Sequence, residues 1–153
     1  MTTELKPTTQ SVAIVIKDEA ARVLVVKRAD HDDSLPGVWG LPAATIRGDE
    51  TPEQAALRAA KDKLGVNVKV LRYIGDDTLD QGRHINHLRE YEVEILSGRP
   101  AVPQRDQTVS QYADLTYTSD PTILFEAARQ GSLCSRIYLR DIDLEWEAVG
   151  VAD

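Results

Sequence analysis

The sequence predicts one domain of mixed α and β structure, on three observations. Val12–Ile16 and Val23–Val26 are continuous apolar runs rich in β-branched residues, the pattern of strands covered on both faces. The stretch from Thr51 to Gly65 carries start and stop signals for a single helix. Beyond it, apolar residues recur at every second position, first at Val66, Val68 and Val70 and later at Tyr91, Val93 and Ile95. A chain of 153 residues can bury a core of its own, and no internal repeat or low-complexity linker divides it. The expected layout is a flexible N-terminal arm over 1–10, one domain over 11–145 and an acidic tail over 146–153 that contains Trp146.

Taken in order, residues 1–10 are polar, hold Pro7 and read as a loose arm or an edge extension. The two apolar runs that follow are joined by the short charged turn Lys17–Arg22 and are expected to pair antiparallel. Residues 29–36 read as a loop, in which His31, Asp32 and Asp33 could touch a ligand or simply be solvated. After the helix comes a half-buried strand from Val66, then Asp76–Gly82, read as an acidic hairpin loop. That loop lacks the spacing and the distal Glu of a calcium-binding loop. His84 and His87, three apart on a strand, point to opposite faces and do not suit one metal site. Glu90, Glu92 and Glu94 read as a solvated acidic strand face, with a role as replacement metal ligands left open. Residues 97–107 read as a long loop and Tyr112–Thr118 as a strand. Ser119-Asp120-Pro121 starts a second helix that Gly131 ends, and 135–140 is expected to form a short strand.

The formal net charge of −7 comes without a compensating basic stretch, which argues against binding a nucleic-acid backbone. Cys134 is the only cysteine, so no internal disulfide can form and a reducing compartment fits. No apolar run approaches the ~20 residues of a membrane span, and MTTELKPTTQ lacks the apolar core of a signal peptide. The expectation is a cytoplasmic protein with neither a membrane nor a nucleic acid as partner.

The chain is organised around Trp39 to Val66, WGLPAATIRGDETPEQAALRAAKDKLGV. Thr51 is a good N-cap, Pro52 suits the first helical position and Gln54 completes a capping box. Ala55, Ala56, Ala59, Ala60 and Leu64 make a narrow apolar face suited to lying close against a sheet, and Gly65 stops the helix. This stretch resembles the signature of the Nudix hydrolases, G-x5-E-x7-R-E-U-x-E-E-x-G-U, where U is aliphatic. Ala44 falls on the leading Gly, Glu50 on the first Glu, Arg58 on the Arg, and Gly65-Val66 on the closing pair. Trp39-x-Leu41-Pro42 and the Val-Leu-Val-Val-Lys-Arg of residues 23–28 also resemble the family. The resemblance implies an α/β/α sandwich, with a mixed sheet between the 51–64 helix and the 120–130 helix. It allows a homodimer.

In that family, three Glu on this helix hold divalent cations against the substrate's diphosphate, and the Arg helps to orient them. Here those positions are Ala59, Asp62 and Lys63, which share one helical face. Mg²⁺ needs anionic oxygen ligands in strict geometry. Ala59 offers none, and the Lys63 ammonium opposes the ion. A unit charge about 4 Å away disfavours it by roughly 4 kcal/mol per ion charge at an effective dielectric near 20. Glu50 and Asp62 remain as the metal ligands that the resemblance implies, with Arg58 orienting them and Mg²⁺ or Mn²⁺ as the cofactor if the chain is active. The same residues also have a plainer reading. Asp49, Glu50 and Glu53 complement the positive end of the helix dipole, Lys61 and Lys63 the negative end, and Arg58 and Asp62 form an i,i+4 pair. The family also places an assisting acidic residue six before an aromatic; with Tyr117 as that aromatic, the position is Gln111, an amide. Ala43-Ala44 stand where the family usually has Gly-Gly, so both are expected at negative φ.

Three functions follow as expectations. The first is a relative of the nucleoside diphosphate-X pyrophosphohydrolases with weak or lost activity, because the box lacks two of its three metal-binding Glu. The second is a metal-free module for a nucleotide-like or phosphorylated ligand, with Lys63 meeting the phosphate as a point charge. The third is a protein-interaction scaffold.

Overall fold

The computed structural model describes residues 6–29, 35–102 and 112–147. Strand β1 (Thr8–Ile16) is the centre of a four-stranded mixed sheet. On one side it pairs antiparallel with β4 (Ala43–Thr45), matching Val12 to Ala44 and Ala13 to Ala43. On the other side it runs parallel to β6 (Ile85–Ser97), matching Ala13 to Glu90. Strand β5 (Asn67–Asp80) closes the order β4-β1-β6-β5 as an antiparallel edge. A second sheet of three antiparallel strands has β2 (Val23–Arg28) between β3 (Trp39–Gly40) and β7 (Tyr112–Thr118).

Alternate residues of β1 and β2 feed two separate cores, which is why both runs are apolar throughout. Val12, Ile14, Ile16, Leu24 and Val26 pack under α1 (Pro52–Leu64), against Ala55, Ala56, Ala60 and Leu64. Ala13, Val15, Val23 and Val25 pack under α2 (Phe125–Arg129) and α3 (Leu133–Asp141), against residues such as Ala128, Ile137 and Leu139. The result is the expected α/β/α sandwich.

Helix α1 forms as its signals dictate. The Thr51 side chain accepts from Gln54 N at 3.1 Å and the Gln54 side chain accepts from Thr51 N at 2.9 Å. Gly65 takes the left-handed conformation at φ 73° and donates to Lys61 O. Ala43 and Ala44 lie in β4 without positive φ, as expected. At the start of the second helical region Asp120 accepts from Thr122 N, and a short 3₁₀ turn over Pro121–Leu124 leads into α2.

Five expectations are corrected. First, β1 and β2 are not partners in one sheet: after the single bridge Lys17–Val23 they diverge into different sheets, because each finds a longer partner elsewhere. Second, Asp76–Asp80 belong to β5 rather than to a loop, since their backbone is laddered to residues 85–89. Their charges are met by His87 at 2.7 Å from Asp76, by Arg140 on Asp77, and by Lys6 at 2.7 Å from Asp80. Third, residues 135–140 are helical. Ser132 caps α3 through Ser135 N, and the spacing Leu133, Cys134, Ile137, Tyr138 puts one apolar stripe on the sheet. Fourth, the N-terminal arm is shorter than expected, because Thr8–Gln10 already pair with β6. Trp146 packs on the α3-side core, with the Arg136 guanidinium 4.8 Å from its ring centre. Fifth, the acidic face of β6 is not uniformly solvated. Glu94 is exposed beside Lys69 and Glu92 is held by Arg72 at 3.0 Å, but Glu90 is completely buried beneath α3. Tyr91 and Val93 face the α1 side, so Glu90 sits across the sheet from α1 and cannot replace ligands there.

Candidate functional site

The turn between β4 and α1 is locked by Arg58. Its Nε donates to Glu50 Oε2 at 2.7 Å, and its Nη2 donates to Glu50 Oε1 at 3.0 Å and to Thr45 O at 2.7 Å. Arg47 N donates to Glu50 Oε1 at 2.9 Å. Both Glu50 oxygens are therefore engaged, and the Arg58 hydrogen bonds hold the carboxyl below its ordinary pKa, against the opposing effect of desolvation. Asp62 lies looser, with Oδ2 3.9 Å from Arg58 Nη1.

One turn further, Lys63 leaves this cluster and faces a cleft of about 410 Å³. Its Nζ donates to Ala43 O at 2.5 Å and stands 5.5 Å from the centre of the Tyr112 ring. The Tyr112 hydroxyl accepts from Ala43 N at 3.2 Å, so β4, α1 and β7 meet at Ala43. Ser132, Leu133 and Cys134 at the start of α3 form part of the cleft's wall. Ser11 and Asn86, joined by a 2.8 Å hydrogen bond from Ser11 Oγ to Asn86 Oδ1, also line it. Arg28 also lines the cleft, and among the described residues no Asp or Glu does.

The structure thus brings Glu50, Arg58 and Asp62 together, while Ala59, on the same helix, is fully buried. Gln111, His31, Asp32 and Asp33 lie outside the described residues. His87 is paired with Asp76, while His84 lines the cleft. Sequence reasoning missed Arg28, Ser11, Asn86 and the Ser132–Cys134 wall. Arg28 ends a stretch already matched to the family pattern, but the others carry no sequence signal, because only the tertiary fold brings them together.

A divalent metal does not fit the residues present. Mg²⁺ takes several anionic oxygens, yet Glu50 has both oxygens on Arg58 and backbone, Ala59 is apolar and sealed, and position 63 supplies a cation in place of a carboxylate. Among the described residues no three His, Cys, Asp or Glu side chains converge.

The two-sheet sandwich, the capped helix and the cleft at Ala43 define a Nudix fold, and the comparisons agree. A family profile described as NUDIX domain matches residues 7–114, and the chain belongs to that family. It is 24% identical over 87 residues to the CTP pyrophosphohydrolase of Escherichia coli (strain K12), covering 57% of this chain and 64% of that protein. It is 26% identical over 96 residues to the RNA pyrophosphohydrolase of Hydrogenovibrio crunogenus (strain DSM 25203 / XCL-2), covering 60% of this chain and 54% of that protein. The match thus spans less than two thirds of each relative's length. Among solved structures, the MutT protein from Methanosarcina mazei Go1 superposes with a TM-score of 0.66 at 15% identity, over 92% of this chain and 97% of that one. The Escherichia coli ORF135 protein gives 0.63 at 20% identity, over 88% and 92%. At such identities the structural likeness shows the fold alone.

Proposed function

We propose that this chain is a Nudix-fold relative of the pyrophosphohydrolases in which metal-dependent hydrolysis is weak or absent, and that its cleft binds a nucleotide-like or phosphorylated ligand without a divalent cation. The observation that carries this reading is Lys63. A helix position that the family gives to a metal-binding carboxylate here supplies a cation to the cleft wall, fixed to Ala43 O and beside Tyr112. An ammonium meets a phosphate directly as a point charge, which removes the need for a bridging metal. Glu50 and Arg58 then act as a structural clasp that fixes the course of β4 past the cleft. They are not a ligand and its orienting group.

The test has two parts. Titration calorimetry with Mg²⁺ or Mn²⁺ is expected to show at most millimolar binding. Phosphate release from nucleoside diphosphate derivatives with metal is expected to stay far below ordinary enzyme turnover, about 1–10³ s⁻¹. Turnover in that range, or a micromolar metal site that disappears in Asp62→Ala, would overturn the proposal.

A further inference from the structure

We infer that Glu90 is a pH-sensitive latch on the cleft: when its carboxyl ionises, α3 lifts from the sheet and carries the Ser132–Cys134 wall with it. On β6, Glu90 is completely buried, and neither of its oxygens has a hydrogen-bond partner among the described residues. Its lateral neighbours explain why. Glu90 pairs with Ala13 on β1 and with Gly75 on β5, and neither side chain offers a donor. Helix α3 covers the same row of the sheet: Ile137 Cγ2 stands 3.7 Å from where a Cβ on Gly75 would lie. Cys134, Tyr138 and Asp141, spaced four and three apart on one stripe of α3, are the helix groups that feel the carboxyl directly.

A carboxylate charge in such a place is strongly disfavoured, because neither water nor a donor reaches it. Burial pushes the Glu90 pKa well above 4.5, Cys134 and Asp141 push the same way, and Arg140 opposes them. The other charges nearby are engaged with one another. Asp77 of β5 holds Arg140, and Arg72 of β5 holds both Asp141 and Glu92, the latter 3.9 Å from Lys17 just past β1. Water can reach an ionised Glu90 in two ways, by parting the strands or by raising the helix. Parting the strands breaks long ladders, since β6 is paired with β1 from Thr8 to Ile16 and with β5 from Asn67 to Asp80. Raising α3 breaks none. It has nine residues and is held to the sheet by apolar side chains and by the partly exposed pairs Arg140–Asp77 and Arg72–Asp141. Helices this short have little stability of their own, and the weakest element opens before the whole fold does. The first turn of α3 lines the cleft, so its release opens the cleft whatever ligand is held there. Cys134 lies at the junction, lining the cleft and facing Glu90, and it is the only cysteine of the chain.

Hydrogen exchange of the full chain, followed by mass spectrometry as the pH is raised from 4.5 and corrected for the intrinsic rate at each pH, tests this. Opening that exposes one buried acid releases one proton. The α3 amides should therefore lose protection by up to about tenfold per pH unit while the α1 amides keep theirs. Alkylation of Cys134 by iodoacetamide, normalised to the urea-unfolded chain at the same pH, should rise in parallel. In Glu90→Gln both responses should be flat. If α3 and α1 lose protection together, the charge is relieved by global unfolding and the latch is wrong. It is equally wrong if α3 protection ignores pH, or if Glu90→Gln keeps the wild-type slope. The wild-type series separates local from global opening even if the variant fails to fold.

Discussion

Three hydrogen bonds from two Arg58 nitrogens converge on Glu50 and Thr45, so the side chain ties the turn before α1 to the helix itself. Charge-assisted, two-pronged pairs are among the stronger side-chain contacts, though this one is partly exposed and screened. Arg58→Met is expected to cost about 1–2 kcal/mol in urea unfolding, with Glu50→Gln somewhat less. A pH dependence follows from the same contact. The Glu50 pKa is depressed below its usual 4.5 in the fold, chiefly by the Arg58 hydrogen bonds. Its stabilising effect is therefore present above about 4.5 and is lost as the pH falls through the lower folded value. Acid unfolding of Arg58→Met should be correspondingly flatter in that range than wild type, and an unchanged acid limb would refute the clasp. The joint register of Glu50, Arg58 and Gly65 was legible in the sequence. The choice between clasp and metal ligand was not, because it depends on whether both carboxylate oxygens are already taken.

Among the elements, α3 and β6 show where reading by pattern stopped. The short apolar segment 135–140 fits a strand by its pattern, and the Ser132 cap and packing on the sheet make it helical instead. Period-2 reasoning placed Glu90 with Glu92 and Glu94 on one face, which is correct; burial along that face then varies with how far α3 reaches. Glu90 has neither oxygen hydrogen-bonded and none of its surface exposed. Burial pushes its pKa well above 4.5, Cys134 and Asp141 push the same way, and Arg140 opposes them. The surrounding groups that titrate or carry charge are Cys134, Tyr138, Arg140 and Asp141 on α3, Asp77 on β5 (held by Arg140) and Glu92 on β6. Since the folded pKa is the higher one, the favourable neutral state is fully present below about 4.5, and stability falls as pH rises toward the folded value. The slope approaches 1.4 kcal/mol per pH unit. Glu90→Gln mimics the neutral acid, so its stability relative to wild type should grow as the pH rises above about 4.5. A difference that stays constant across that range would show that Glu90 does not hold a proton in the fold. At α1, Thr51→Ala should cost about 1 kcal/mol in the same unfolding assay, through loss of the cap.

For the whole molecule, the layer order was legible because two all-apolar strands and one alanine-faced helix leave few ways to bury them. The cleft was not, since its walls come from eight separate elements. The sandwich raises one last question: whether the scaffold still supports the chemistry that the helix has lost. Ala59→Glu, Asp62→Glu and Lys63→Glu together restore the family's three carboxylates. The complete burial of Ala59 makes that first change far from neutral. Alone it buries a carboxylate where Ala59 is fully enclosed and is expected to cost on the order of 3 kcal/mol. Lys63→Glu alone removes the cation from the cleft and its bond to Ala43 O, so it should abolish metal-free phosphate binding without creating a metal site. In the triple variant the three carboxylates repel one another and one is desolvated, so the metal-free form should melt well below wild type. A cation that binds only the folded form then recovers stability by mass action, about 2.7 kcal/mol at a hundredfold excess over its dissociation constant. Thermal melts of wild type, each single variant and the triple variant, with and without Mn²⁺, read this directly. Metal should leave wild type and the singles unmoved and raise the triple variant by several degrees, a non-additive response of residues acting as one unit. A folded triple variant that ignores metal would place the defect elsewhere. The nearest candidate is Arg58, which holds both Glu50 oxygens, and adding Arg58→Gln to the triple variant would then be the change that restores the response.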